Sequence, residues 1–348
     1  MSFEFNSVRG ALGHGFDTLI DVRSPAEFQE DHVPGAISLP VLSNEERARV
    51  GTVYVQQDPF LARKIGAALV ARNAAAHIEG PLSDKDGGWR PLVYCWRGGQ
   101  RSGSFATILK NIGWRADTVQ GGYKSWRKLV ATSLYDEPLA HRLVLLDGNT
   151  GTAKTAILEH LTARGVQVLD LEALAAHRGS IFGDLGAPQP AQKGFESALA
   201  TALAGFDPIR PVVVEAESAR IGDIRLPPSL WKAMVSAPRL GVSAPNSARA
   251  SYLAAMYQEQ VTDPEWLSAR LDGLTYFLGK ARCAELLGLA HDGEYEQLAG
   301  HLIEDHYDPT YNRARRSPPL RVFETESLDE DALQKLADRI ARDPLISG

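Results

Sequence analysis

Pro91-Leu92-Val93-Tyr94-Cys95-Trp96-Arg97-Gly98-Gly99-Gln100-Arg101-Ser102 is the stretch that decides how this chain folds. Four apolar residues read as a short strand, a glycine-bearing loop follows Cys95, and a helix begins near Ser102. A strand that feeds a helix through a tight loop is the unit of a parallel α/β sheet. It also aims a row of backbone N–H groups and a helix N-terminus at the sulfur. Arg97 and Arg101 add positive charge, so an anion is favoured there and the thiol reads as a nucleophile. A free cysteine at a strand end is otherwise a small buried hydrophobe, but packing requires neither the glycine pair nor the arginines. Cys283, in the helix-like run Lys280-Ala281-Arg282-Cys283-Ala284-Glu285-Leu286-Leu287, reads as structural.

Outward from this stretch, strands at Thr18-Leu19-Ile20, Ala36-Ile37-Ser38-Leu39, Leu92-Val93-Tyr94 and Ala116-Asp117-Thr118-Val119 alternate with helix-like segments beginning at Pro25, Asp58, Ser102 and Tyr123. They predict a parallel-sheet domain over about residues 5–132, with a surface loop from His77 to Arg90. Residues 133–141 read as a polar linker. Leu143-Val144-Leu145-Leu146-Asp147 then opens a second α/β domain, expected over 142–345, with further strands at 166–170 and 211–215. A helical insertion is expected over about 247–302.

The 348 residues exceed one ordinary core, and 44% apolar with 23% charged residues is normal for a globular chain. Two distant cysteines make no disulfide framework, which together with the absence of a signal-like start and of any spanning apolar run leads us to expect a cytoplasmic protein with no membrane contact. Residues 1–140 carry 16 Lys+Arg against 15 Asp+Glu, and the remainder 21 against 28. That balance excludes a generally basic nucleic-acid binder while leaving room for a local basic face.

After the strand 143–147 comes Gly148-Asn149-Thr150-Gly151-Thr152-Ala153-Lys154-Thr155, then a helix. Strand, glycine loop, Lys-Thr and helix is the phosphate-cradling arrangement. Backbone N–H groups wrap a diphosphate, Lys154 supplies a point charge, and the Thr155 hydroxyl can hold a divalent metal such as Mg2+. The pattern asks for glycine where Ala153 stands, so its methyl is expected to crowd the phosphate. The strand 212–214 delivers Glu215 and Glu217 to the sheet edge where ligands bind, as metal ligand, base or plain surface acids. Arg178 and Ser180, in His177-Arg178-Gly179-Ser180, read either as an anion grip or as a turn-rich loop. Arg313-Ala314-Arg315-Arg316 beside Tyr307 and Tyr311 reads as an RNA contact or as a solvated basic loop.

Asp21-Val22-Arg23-Ser24-Pro25-Ala26-Glu27-Phe28 with His32-Val33-Pro34-Gly35-Ala36 resembles the opening motif of rhodanese domains, and Gly121-Gly122-Tyr123-Lys124-Ser125-Trp126 their closing motif. Cys95 falls at their catalytic cysteine. Five residues separate it from Arg101, the spacing of cysteine phosphatases, which suits a phosphate-sized oxyanion. A rhodanese domain joined to a phosphate-loop domain is similar to the tRNA 2-selenouridine synthases. The resemblance extends over Asn44-Glu45-Glu46-Arg47 with Val50-Gly51-Thr52, the Cys95 and Lys154 loops, His177-Arg178-Gly179-Ser180 with Phe182-Gly183, Gln192-Lys193 with Phe195-Glu196, and Glu217-Ser218 with Arg220-Ile221-Gly222. Ala153 and Gln100 depart from the family, which has Gly and Met there.

The resemblance implies a transferase that acts on the wobble 2-thiouridine in the anticodon loop of tRNA. Geranyl diphosphate first alkylates the sulfur, and selenium from selenophosphate then displaces the S-geranyl group. It implies no tightly bound cofactor, and a partner enzyme that makes selenophosphate. Cys95 would serve selenation through a selenenyl-sulfide, with Trp96, Arg97, Gly98, Gly99, Gln100, Arg101 and Ser102 as the oxyanion loop. Gly148 to Thr152, Lys154 and Thr155 would hold the diphosphate, and Asp21, Arg23, Arg178, Ser180, Glu215, Glu217 and Arg220 would play supporting parts in the two sites. The rival readings are a persulfide-relay sulfurtransferase fused to a nucleotide-binding domain, a cysteine phosphatase, and a non-enzymatic tRNA-binding module.

Overall fold

The computed structural model describes residues 2–177, 188–261, 263–314 and 317–348. Its contacts divide the chain into two compact units: Met1–Pro138 with Pro190–Gly205, and Leu139–Gln189 with Phe206–Gly348. Each is built on a five-stranded sheet, and every pairing in both sheets is parallel. This is the α/β class expected from the alternating pattern.

The first sheet contains β1 (Ser2–Phe3), β2 (Thr18–Asp21), β3 (Ile37–Ser38), β4 (Pro91–Tyr94) and β5 (Asp117–Val119), in spatial order β1-β5-β4-β2-β3. All four residues of β4 are buried, as a central strand covered on both faces requires. Ile20, Val22, Val93, Phe105 and Leu109 meet in its core. The helix beginning at Pro59 runs to Glu79, so the predicted loop starts at Gly80 and not His77. A second helix, Asn44–Gln56, opens on a capping box in which Ser43 and Glu46 satisfy each other's backbone N–H groups. The segment read as a linker begins as a π-helical turn, Thr132–Asp136, continuing the helix Tyr123–Ala131.

The helix Gln192–Gly205 falls inside the range expected for the second domain, yet it packs with the first unit. Phe195 and Leu199 are fully buried there. Trp126 Nε1 donates to Ser197 Oγ at 3.0 Å, and the Ser197 and Tyr123 hydroxyls both donate to Asp31 Oδ2, at 2.9 and 2.6 Å. Arg127 and the Tyr135 hydroxyl share the Glu196 carboxylate, each at 2.6 Å. Burial pushes the Asp31 carboxyl up, and these donors only partly offset it.

The second sheet contains β6 (Leu143–Asp147), β7 (Gln167–Leu169), β8 (Val212–Glu215), β11 (Arg239–Ser243) and β12 (Arg321–Glu324), in order β12-β11-β6-β8-β7. The short antiparallel hairpin of β9 (Arg220–Ile221) and β10 (Ile224–Arg225) stands apart from it. Val144, Leu146, Ile157, Leu161, Val213, Leu240 and Ile340 form its core. Helices from Asn246 to Ala314 make up the insertion, longer than expected and including a π-helical turn at Ile303–Tyr307.

Candidate active sites

Strand β4 ends at Tyr94 and delivers Cys95 to the C-terminal edge of the first sheet, beneath the helix Gln100–Ile112. The sulfur is buried and accepts a hydrogen bond from Ser102 Oγ at 3.2 Å. The closing motif straps the loop from below: Tyr123 N donates to Cys95 O at 2.8 Å and Lys124 N to Trp96 O at 3.0 Å. Only glycine fits at two points of this seam. Gly98 has φ +67°, and a Cβ there would lie 2.6 Å from Val119 O. Gly122 has φ +59°, and its Cβ would overlap Cys95 O.

Arg23 is buried beneath the loop, forked onto Asp21 at 2.6–3.0 Å and bonded to Asp31 O at 2.6 Å. Its guanidinium lies 3.8 Å from the centre of the Tyr123 ring. Asp21 and Arg23 therefore brace the fold beneath the cysteine. Arg101 bonds Glu27 Oε2 at 2.9 Å, and Arg47 meets the same oxygen at 2.9 Å. Burial works to raise the Glu27 carboxyl, but Arg101, Ser24 and Arg47 outweigh it and hold it below the usual range. Arg97 and Gln100 are exposed at the rim, and Trp96 leans on Tyr123 with ring centres 5.2 Å apart.

In the second unit, β6 ends at Asp147 and Gly148–Ala153 turns into the helix Lys154–Ala163. Ala153 takes a left-handed conformation, φ 57° and ψ 32°, and is buried with Val144 and Ile157 in the core beneath the loop. The visible consequence of an alanine here is thus backbone strain of about 1 kcal/mol. Lys154 Nζ donates to Gly148 O at 2.9 Å, and Thr152 Oγ1 to Asn149 O at 2.9 Å. Arg249 clamps the loop from outside, donating to Thr150 O at 2.7 and 2.9 Å and pairing with Asp308 at 2.6 Å. Asn149 donates to the same aspartate at 2.9 Å.

Behind Lys154, the carboxylates of Glu172, Glu215 and Glu217 have ligand oxygens within 4.8 Å of one another. Thr155 Oγ1 reaches Glu172 Oε2 at 3.4 Å. Burial raises Glu217 to about 7, with Glu172 adding to the shift and Lys154 opposing it. Burial, Glu172 and Glu217 push Glu215 well above the usual carboxylate range. Glu215 Oε1 accepts from Glu172 N at 2.9 Å, while Oε2 is buried without a hydrogen-bond partner. An orphaned carboxylate oxygen among hard oxygen donors fits a divalent cation such as Mg2+.

Residues 141–340 match the family described as the tRNA 2-selenouridine synthase AAA domain, and residues 5–129 match the rhodanese-like domain. A tRNA 2-selenouridine synthase of Hahella chejuensis is 34% identical over 352 aligned residues, which cover 86% of this chain and 89% of that protein. The chain belongs to the tRNA 2-selenouridine synthase family. A Nitrosomonas europaea synthase is 38% identical over 236 residues, 66% of this chain and 61% of the relative's length. Among solved structures, the N-terminal domain of a putative ATP/GTP binding protein from Clostridium difficile is 31% identical, covering 37% of this chain and 98% of its own, with a TM-score of 0.32.

In this member of the tRNA 2-selenouridine synthase family, two groups of expected site residues assemble locally, one around Cys95 and one around Lys154. Arg220 joins neither: it is exposed and bonds Gly222 O at 2.6 Å and Asp223 at 2.8 Å. Arg178 and Ser180 lie outside the described residues, as do Phe182, Gly183, Arg315 and Arg316. Gln192-Lys193 with Phe195-Glu196 proves to be part of the helix that packs on the first unit. Glu172, Arg249 and Asp308 were not anticipated. Glu172 carries the one local signal, two residues after the strand-end Asp170.

Proposed function

We propose that the chain is a tRNA-modifying transferase that converts wobble 2-thiouridine to 2-selenouridine by way of an S-geranyl intermediate. The observation that carries this reading is the presence, in one chain of this family, of a loop around a buried cysteine and a phosphate loop backed by three carboxylates. A thiocarbonyl sulfur is a poor leaving group and its S-alkyl form a better one. The thiocarbonyl sulfur attacks the first carbon of geranyl diphosphate, the carbon–oxygen bond breaks, and diphosphate departs. Gly148 to Thr152 would bind that diphosphate through backbone N–H groups, and Lys154 would turn from Gly148 O to stabilise its charge.

Glu172, Glu215, Glu217 and Thr155 would hold Mg2+, which when bound offsets negative charge on the diphosphate. In the second half-reaction the selenium of selenophosphate attacks C2 of the pyrimidine, the carbon that bears the S-geranyl group; the carbon–sulfur bond breaks and geranyl thiol leaves, and water then cleaves the selenium–phosphorus bond to release phosphate. Cys95 serves this step, with Ser102 orienting its sulfur and the N–H groups of Trp96 to Gln100 receiving the phosphate of selenophosphate. The partners of this reading are tRNA, through its anticodon loop, and an enzyme that supplies selenophosphate.

The test is mass spectrometry of nucleosides from 2-thiouridine tRNA incubated with geranyl diphosphate, with and without selenophosphate, in wild type and Cys95→Ala. The expected result is geranyl adduct from both proteins and selenouridine from wild type alone. Unmodified tRNA under every condition would sink the reading and leave a sulfur relay or a phosphatase.

A further inference from the structure

Tyr311 stands beside a basic run in the sequence, yet its side chain lies in the phosphate site. It lines a cavity of about 70 Å³ together with Thr150, Lys154, Thr155, Glu172 and Glu215. Its ring centre is 5.7 Å from Lys154 Nζ, and its hydroxyl hydrogen-bonds the Thr150 side chain. The helix that carries it, Asp308–Ala314, directly follows the π-helical turn Ile303–Tyr307. Such a turn adds a residue and swings the following helix by about 100°, and it often marks a functional site. Asp308 and Tyr311, three positions apart, share the helix face that meets the loop. Asp308 accepts from Arg249 at 2.6 and 2.9 Å and from Asn149 at 2.9 Å, so the first turn of this helix is tied to the loop that Tyr311 overlooks.

The placement gives the phenol a definite task. Lys154 pulls it down, and Thr150, donating to its oxygen, pulls the same way; burial and Glu217 outweigh them and hold it above its ordinary value. The phenol therefore keeps its proton at neutral pH, and the Thr150 bond leaves that proton for another acceptor. Lys154 brings a full charge to the site, whereas a neutral phenol brings a donor whose bond strengthens with the charge on its acceptor. A diphosphate leaving group gains negative charge as its bond to carbon breaks, so a donor fixed beside Lys154 acts most strongly at that moment. A stacking contact with RNA needs an open ring face, and Tyr311 is half-buried.

We propose that Tyr311 is a diphosphate-binding residue, whose hydroxyl donates a hydrogen bond to the departing diphosphate beside Lys154. This rests on the reading above that the loop takes a diphosphate. No proton is transferred: the carbon–oxygen bond breaks, its electron pair stays on the diphosphate oxygen, and the phenol proton remains on Tyr311.

The experiment is calorimetric titration of the whole chain with inorganic diphosphate in the presence of Mg2+, in wild type and Tyr311→Phe, with urea unfolding of both. Tyr311→Phe keeps the ring over Lys154 and removes only the hydroxyl. It should bind diphosphate more weakly than wild type by about tenfold or more, at an unchanged unfolding midpoint. A smaller loss, or none, would overturn the proposal and leave the ring as packing. Should Tyr311→Phe also lower the midpoint, replacement of Tyr311 by para-aminophenylalanine decides, because it keeps both the ring and a proton donor. Affinity that returns toward wild type supports the hydrogen bond, and affinity that stays at the Tyr311→Phe level overturns it. A wild type that does not bind diphosphate would overturn the proposed function as well.

Discussion

Gly122 and Glu217 show how single residues set the two sites. Gly122 has φ +59° and no room for a Cβ, because Cys95 O and Gly98 N lie against it. The obstructing atoms are backbone and cannot swing aside, so Gly122→Ala must open the seam that holds the cysteine loop. We expect a loss of about 2–4 kcal/mol of stability in urea unfolding, with diphosphate binding at the other loop retained. Glu217 titrates near 7 in the folded chain because it is buried beside Glu172. An acid with a raised folded pKa binds more protons folded than unfolded, so stability falls as pH rises from about 4.5 to 7. In metal-free protein that slope should flatten in Glu217→Gln, measured by chemical unfolding at several pH values. A slope unchanged by the substitution would remove Glu217 as its source. Cys95, Lys154 and Thr155 are legible in the sequence because a strand, a glycine loop and a helix write them within a few residues. Arg249 is not, because its partner Thr150 is 99 positions away.

At the scale of elements, the helix Gln192–Gly205 is the feature that propensity alone cannot assign. Its apolar spacing announces a helix, but its place is set by Ser197 and Glu196 meeting Asp31, Trp126, Arg127 and Tyr135. Glu196→Ala would leave Arg127 and the Tyr135 hydroxyl without their shared acceptor. The expected cost is about 2–3 kcal/mol, read as a lowered unfolding midpoint, whereas Glu196→Gln should recover part of it. Equal stability of Glu196→Ala and wild type would show that the Glu196 contacts add nothing to what Phe195, Leu199 and Ser197 supply. The strands show the same division. β6 and β8 are continuous apolar runs buried on both faces and are plain in the sequence. β11 carries Gly241 in its centre, and β12 is an edge strand with no buried residue, so neither stands out as an apolar run.

For the whole molecule, the unit that holds Cys95 is discontinuous in sequence, ending at Pro138 and resuming at Pro190. A fragment ending at Pro138 would leave Trp126 and Asp31 without Ser197. It should show far less cooperative unfolding than the same fragment rejoined to residues 190–205 through a flexible linker. Comparable unfolding of the two fragments would show that the helix is dispensable. The discontinuity also has a consequence during synthesis on the ribosome. The first unit cannot close until residue 205 has emerged, so its strands wait while residues 139–205 are made. At about 5–20 residues per second the wait is roughly 3–13 s. Throughout it the newborn chain shows the apolar and carboxylate surface around Trp126 and Asp31 that helix 192–205 later covers, which makes this face the natural target for a chaperone that guards nascent chains.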